Sequence, residues 1–390
     1  MKTNKETSGK SSVNFWTRNF DFPLVVVAVL LILVGLLTLL SASSSTGLTD
    51  AGSPYYYVIK QAQALGMGLI GLVGIMFLDY RMFNNKAVLI IITILIFALI
   101  AIVQIAGIDE GGARRWLNLG GINFQPSEFI KLGMIVLMAG LLQRLIKNRN
   151  IKKFWKGFIL PLGITGLVAG LILILQNHLS AAAVIGIVAV VQMFIAGVNM
   201  IYLFSTIGLG ASAIGILFSV MPAESLGFRG ERILAWLNPE DYAQGKGFQT
   251  LQSLYAIGSG GWFGVGIGES RQKQDFLPFP QNDFIASIFA EEFGFIGVII
   301  LLLLFMALLI RSALIAHNAK DMFGKLLGIG ITTLFAFEII LNLLVITNLI
   351  PVTGIGLPFF SYGGTAMIVN LLAIGILLSI YRISNRKEKV

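Results

Sequence analysis

The 390 residues contain no cysteine. That removes disulfides, thiol catalysis and cysteine-based metal sites. Histidine is nearly missing as well: His178 and His317 stand far apart in the chain and make a poor metal pair. Charge is scarce. Only 12% of residues are Asp, Glu, Lys or Arg, against about 25% in soluble domains, and 56% are hydrophobic.

Long apolar runs fill the space that charge leaves. A bilayer core is crossed by ~20 mostly apolar residues. Ten segments approach that length: 22–42, 58–79, 86–107, 127–146, 158–176, 180–197, 200–220, 284–310, 326–349 and 362–381. The expected fold is an all-α polytopic membrane protein with ten transmembrane helices. A polar tail (1–21) precedes a membrane domain (22–381), and a short tail (382–390) follows. No cleavable signal peptide is expected. The polar start is too long for a signal's charged head, and the first apolar run is long enough to span.

The net charge of +9 has an orientation. With the N-terminus inside, the inner segments hold most of the Lys and Arg, including the cluster Arg144, Lys147, Arg149, Lys152, Lys153 and Lys156. The positive-inside rule then puts both termini in the cytoplasm. It accounts for the basic excess without nucleic acid as a partner. The outer side keeps Lys60, Arg114, Arg115, Lys131, Arg229, Arg232, Lys246, Arg271 and Lys273. Lys60 reads equally as a snorkelling lysine or a ligand group. Lys131 reads as functional, because Glu128 lies one helical turn before it on the same face.

Two outer connections are substantial. The first, "IDEGGARRWLNLGGINFQP" (108–126), joins Arg114, Arg115 and Trp116 to glycines, which suits an anionic, partly apolar ligand. The second, a large extracellular loop (221–283) between helices 7 and 8, is longer than a connection needs to be. Its run "FQTLQSLYAIGSGGWFGVGIG" is too apolar for a solvated tail and too glycine-rich for a span. It reads as backbone re-entering the outer leaflet or lying along it, which survives only when buried in protein or lining a cavity. A structural plug is the blander reading.

Clustered cations beside apolar surface, with a few carboxylates, suit a lipid that carries phosphate or pyrophosphate. They do not suit the residue rings of an ion channel. A transporter would place polar groups near the midplane. The midplanes here are nearly clean. Glu338 is the main exception: a structural bond to Asn342, one turn later, is its expected role, and lining a polar cavity is the alternative. At 271–289, "RQKQDFLPFPQNDFIASIF" passes from polar to apolar at Asp283. The acid there is either an N-cap for the next helix or a base at the mouth of a cavity. Asp275 and Glu292 are lesser candidates. Arg271 and Lys273, just upstream, are expected phosphate contacts.

These stretches resemble the SEDS family of peptidoglycan glycosyltransferases, the FtsW, RodA and SpoVE group, nearly end to end. "GLLTLLSASS", "GARRWLNLGGINFQPSEFIKL", "RILAWLNPEDYAQGKGFQTLQSLYAIGSGGWFGVGIGESRQK", "FLPFPQNDFIASIFAEEFGFIG" and "PVTGIGLPFFSYGGTAMIVN" occur in the family's order. "ESRQK" and "FLPFPQ" look most like the division and sporulation branch. The resemblance implies a ten-helix polymerase acting on lipid II, the undecaprenyl-pyrophosphate-linked disaccharide-peptide, at the outer face of the bacterial cytoplasmic membrane. It implies a class B penicillin-binding protein as partner, with other divisome or sporulation proteins and membrane lipids around it. It makes Asp283 catalytic. It places Arg115, Trp116, Glu128 and Lys131 on the functional surface and Ser361 in the last motif. Arg114, Lys246, Arg271 and Lys273 join them as cations for the substrate's pyrophosphate. A divalent cation, Mg2+ or Mn2+, is the one cofactor this chemistry would accept.

The chain departs from the family twice. Phe279 stands where "LPExxTD" has glutamate, and Asn282 where it has threonine. The turn "QNHLS" lacks the proline, and the acid, often found after the fifth helix. Slower turnover or a preference for modified lipid II is the implied consequence. Two other readings stay open: a lipid II flippase, and a non-catalytic scaffold for a penicillin-binding protein.

Overall fold

The computed structural model describes residues 20–110, 113–119, 122–206, 208, 212, 228–245, 247–274 and 276–385. Lys246, Asp275, the outer parts of both tails and most of the seventh expected span lie outside them. Among the described residues eight helices are long and apolar enough to cross a membrane. They are α1 (Phe22–Ala51), α2 (Tyr56–Phe77), α3 (Lys86–Ala106), α4 (Pro126–Lys147), α5 (Leu160–Leu175, continuing a π-turn from Phe154), α9 (Ile285–His317), α10 (Met322–Ile346) and α11 (Gly364–Ser384). The chain is a polytopic helical membrane protein. The sixth expected span is the shorter apolar helix α6 (Leu179–Ile195), and the seventh is helical over 200–206. Two helices of the long loop, α7 (Phe228–Leu237) and α8 (Phe248–Ser259), complete the set.

The all-α expectation needs one correction. The first outer connection is a three-stranded antiparallel sheet in the order β1 (Ile108–Glu110), β2 (Ala113–Leu119) and β3 (Ile122–Phe124). Leu117 pairs with Phe124 and Asn118 with Asn123. The sequence carried a signal for it: two short runs separated by Gly-Gly are a hairpin pattern. The sheet is fastened to α11, where Thr365 Oγ1 donates to Asn123 O (3.2 Å) and accepts from Gln125 N (3.0 Å).

Helix ends follow local chemistry. Pro126 opens α4, Glu128 sits in its first turn, and Arg144 and Lys147 in its last, each sign matched to the helix dipole. Asp21 caps α1 by accepting from Leu24 N (2.9 Å) and pairs with Arg311 of α9. At this same end of the bundle Asp321 caps α10 and accepts from Tyr80 Oη (2.7 Å) and Arg81 Nε (2.9 Å). Burial, then the Asp321 bond, pushes the Tyr80 phenol up.

The opposite end depends on a break in α9. Gly294 leaves the helical region with φ 65° and ψ −170°. The freed backbone groups find partners in the glycine-rich loop. Val265 N donates to Glu291 O (3.0 Å) and Gly266 N to Glu292 O (3.2 Å). Phe295 N donates to Gly261 O (2.9 Å) and Ile296 N to Trp262 O (3.1 Å). The break itself is buried and its freed backbone groups are satisfied, while the loop side chains Trp262, Phe263 and Ile267 stay exposed. Side chains complete the weld. Glu291 accepts from Ser270 Oγ (2.5 Å) and Arg271 N (3.1 Å). Lys273 Nζ binds Gly268 O (2.6 Å), Ser41 Oγ (2.8 Å) and Glu292 Oε1 (3.3 Å).

A side chain at Gly294 has no room, since its Cβ would lie 2.2 Å from Gly264 N. Gly294→Ala is expected to cost about 2–4 kcal/mol through the clash and the left-handed φ. Thermal unfolding of the purified protein in detergent checks it.

Candidate functional site

A cavity of about 500 Å³ opens where the N-terminal ends of α2, α4, α9 and α11 meet the C-terminal end of α10. Asp283, Trp116, Glu128, Lys131 and Ser361 all line it, so the structure gathers residues from distant motifs into one space.

Its deepest feature is ionic. Lys131 Nζ is 2.9 Å from Glu128 Oε2 on its own helix and also pairs with Glu338 Oε1 of α10. Lys131 and Glu338 are both buried and Glu128 nearly so. The expected bond between Glu338 and Asn342 is not the one formed. Asn342 turns away and donates to Asp283 O (2.7 Å) and Ile355 O (2.8 Å). One turn of helix sets two side chains on one face, but what each touches depends on the neighbouring helix.

Asp283 is not the N-cap of α9. That position is Phe284, which makes no side-chain cap bond. The turn before α9 is instead pinned from outside. Tyr362 N donates to Gln281 O (2.9 Å), Asn342 holds the Asp283 carbonyl, and Gln249 Nε2 donates to Pro278 O (3.1 Å). The motif carrying Ser361 shapes the same wall. Ser361 Oγ accepts from Leu357 N (2.7 Å), and Gln61 of α2 bonds Ser361 O (3.2 Å) and Gly363 N (3.1 Å).

Four expected phosphate contacts stand elsewhere. Arg114 donates to Gln104 O (2.8 Å), and Arg115 to Gln176 O (2.9 Å) and Asn177 O (2.7 Å). These carbonyls belong to helix ends that lack intrahelical donors and favour positive charge. The two arginines fix the sheet to its neighbours. Lys273 is held by Glu292, Ser41 and Gly268, and Arg271 stands exposed on the loop. None of the four is among the described residues lining the cavity.

The cavity also holds Lys60, which the sequence left open between snorkelling and ligand binding, and the tyrosines Tyr56, Tyr57 and Tyr362, which it passed over. Lys60 reaches Tyr56 Oη (2.5 Å) and lies 4.4 Å from that ring's centroid. Tyr57 meets Tyr362 edge-on at 4.9 Å. Burial and then the nearby Tyr56 push the Tyr362 phenol up. The run "YYYVIK" was the available signal, since it sets Tyr56 and Lys60 one turn apart at a helix mouth. His178 lies in the wall at 8% exposure. Burial, with Arg115 and Lys131 nearby, lowers its pKa to about 3.

Beneath Lys131 the polar lining ends. A void of only about 10 Å³ follows, walled mainly by Met134, Ile135, Met138, Val184, Val188 and Leu334. Its one amide, Gln192, is committed to Ile135 O and Leu326 O (both 3.0 Å).

Fold and site define a multi-pass membrane protein with a deep polar cavity at one end of its bundle and an apolar floor. The chain belongs to the FtsW/RodA/SpoVE family, described as cell cycle proteins, whose model matches residues 22–386. It is 38% identical to stage V sporulation protein E of Bacillus subtilis, over 93% of this chain and 97% of that one. It is 36% identical to the probable peptidoglycan glycosyltransferase FtsW of Trichlorobacter lovleyi, over 94% of each. Its fold matches a chain from a peptidoglycan synthase complex that coordinates polymerization and crosslinking (TM-score 0.77, 30% identity, 94% of this chain and 99% of that one). It also matches the rod shape determining protein RodA of Thermus thermophilus (TM-score 0.68, 29% identity, 94% and 98%).

Two outcomes follow. Lys131→Met leaves two carboxylates facing each other without their cation. It is expected to cost about 3–5 kcal/mol in unfolding measurements, and Glu338→Gln less. Because His178 is held neutral, the protein loses stability through it only as pH falls from the ordinary histidine value of 6.5, where the unfolded chain takes up a proton, toward 3. His178→Gln should therefore leave the shape of the pH–activity profile unchanged between about pH 5 and 8.

Proposed function

We propose that this protein is a peptidoglycan glycosyltransferase that polymerises lipid II at the outer face of the bacterial cytoplasmic membrane, in division or sporulation. The full bundle has ten spans, counting α6 and the helix that begins at 200, with both termini in the cytoplasm. The cavity then opens outward, because Arg311, Arg81 and the basic helix ends of α4 lie at the other end.

Asp283 is the general base. It takes the proton of the acceptor sugar hydroxyl as that oxygen bonds to the donor's anomeric carbon. The bond from this carbon to the lipid pyrophosphate breaks with inversion, and the pyrophosphate leaves with the electron pair. Lys131 and Lys60 are the cavity cations placed to meet that charge. The carboxylates on either side of Lys131 fix it in direction, so little reorganisation is needed as the leaving group forms.

A resident metal does not fit these residues. Among the described residues no group of three His, Asp or Glu side chains could hold one. The cavity's glutamate pair already has Lys131 between its members. A divalent cation would arrive on the substrate's own phosphates, as Mg2+ commonly does. A class B penicillin-binding protein that cross-links the new strand is the proposed partner. The likeness to a synthase-complex chain supports it.

The observation that carries this reading is a single cavity joining Asp283 to the Lys131 cluster over an apolar floor. A flippase needs polar groups to continue inward, and here they stop. Polymerisation of labelled lipid II by the purified protein with its partner is the test. Asp283→Ala should lower the rate by about 10²–10⁴-fold, the usual contribution of a general base, while leaving partner binding intact. Undiminished polymer from that variant would remove Asp283 from the chemistry.

A further inference from the structure

Phe279 is the least comfortable residue of the cavity wall. Its φ is 49°, in the left-handed region that a bulky side chain avoids. The next residue is Pro280, which further narrows what Phe279 can adopt. Asn282 N donates to Phe279 O (3.1 Å), closing a tight turn with Pro280 and Gln281 at its centre. The turn is held on both flanks by the bonds from Gln249, Tyr362 and Asn342. Its surroundings thus fix a strained conformation, a pattern found where a ligand is gripped.

Packing does not explain the strain. Phe279 is 65% exposed, although it lines the cavity. A core phenylalanine would be buried, and a loop phenylalanine would relax. Geometry says what the ring is near. The ends of such a turn lie within about 7 Å, and Asp283 directly follows Asn282. Phe279 and Asp283 thus enter the same cavity from one short turn, and Tyr56, Tyr57 and Tyr362 line it with them. The same cavity presents amides from Gln63, Asn123 and Asn282. Aromatic faces with amides and a carboxylate are the chemistry that recognises a sugar: rings meet its C–H face, and the polar groups meet its hydroxyls.

We infer that Phe279 is a binding residue for the acceptor sugar, an aromatic platform that presents one sugar hydroxyl to Asp283. This rests on the proposed reading of the cavity. The isoprenoid tail is the other apolar part of such a substrate, and the test separates the two.

Binding is measured for lipid II and for undecaprenyl pyrophosphate, which shares the tail and pyrophosphate but has no sugar. Phe279→Leu keeps an apolar side chain and removes the ring. It should weaken lipid II binding roughly tenfold, the scale of an aromatic contact, and leave undecaprenyl pyrophosphate binding unchanged. Phe279→Trp should weaken lipid II binding less than Phe279→Leu does. Phe279→Gly relieves the left-handed strain, so it should lose lipid II binding without lowering the melting temperature. Equal lipid II binding by wild type and Phe279→Leu would overturn the inference. So would a parallel loss for both ligands, which would assign the ring to the tail. If wild type binds undecaprenyl pyrophosphate but not lipid II, the reading of the cavity fails and the inference with it.

Discussion

The Lys131 ammonium, set between Glu128 and Glu338, is the interaction on which the cavity depends. Its three members come from two helices, α4 and α10. Charges inside a bundle are costly unless paired. Here each charge has an opposite charge beside it, and all three side chains line the polar cavity. Below it the packing closes around Gln192 and aliphatic residues, so the cluster also marks where the polar lining of the cavity ends.

The acid that faces this cluster is placed by a different device. Asp283 precedes α9, a helix broken at Gly294 and repaired by the loop around Gly264. Glu291, Glu292 and Lys273 fasten that loop. These three build the platform that carries the turn with Asp283, and Asn342 reaches from α10 to the Asp283 carbonyl. The two halves of the site are thus mechanically joined through α10.

Much of this was legible in the sequence. Apolar length marked eight of the spans, and the pairing of Glu128 with Lys131 followed from helical spacing. Asp283 was marked by the change from polar to apolar around it. That the glycine-rich run is ordered rather than a solvated tail was visible in its apolar composition, and it packs its backbone against the break at Gly294. What stayed hidden concerns partners across helices. Arg114 and Arg115 look like phosphate ligands as residue types, yet helix-end carbonyls claim them. Lys273 looks free until Glu292 and Ser41 are brought to it. Glu338 was assigned to its own helix's Asn342, whereas the nearest opposite charge came from α4. Sequence spacing orders residues along one helix and does not say which side chain of the next helix arrives opposite.

The central claim is that this cavity is a reaction chamber with a closed floor. It is tested most directly in proteoliposomes that hold the protein with its partner and carry labelled lipid II only in the leaflet facing the apolar floor. The account predicts that the label stays in its leaflet, while lipid II supplied on the cavity side is polymerised. Transfer of the label across the membrane by this protein would contradict it.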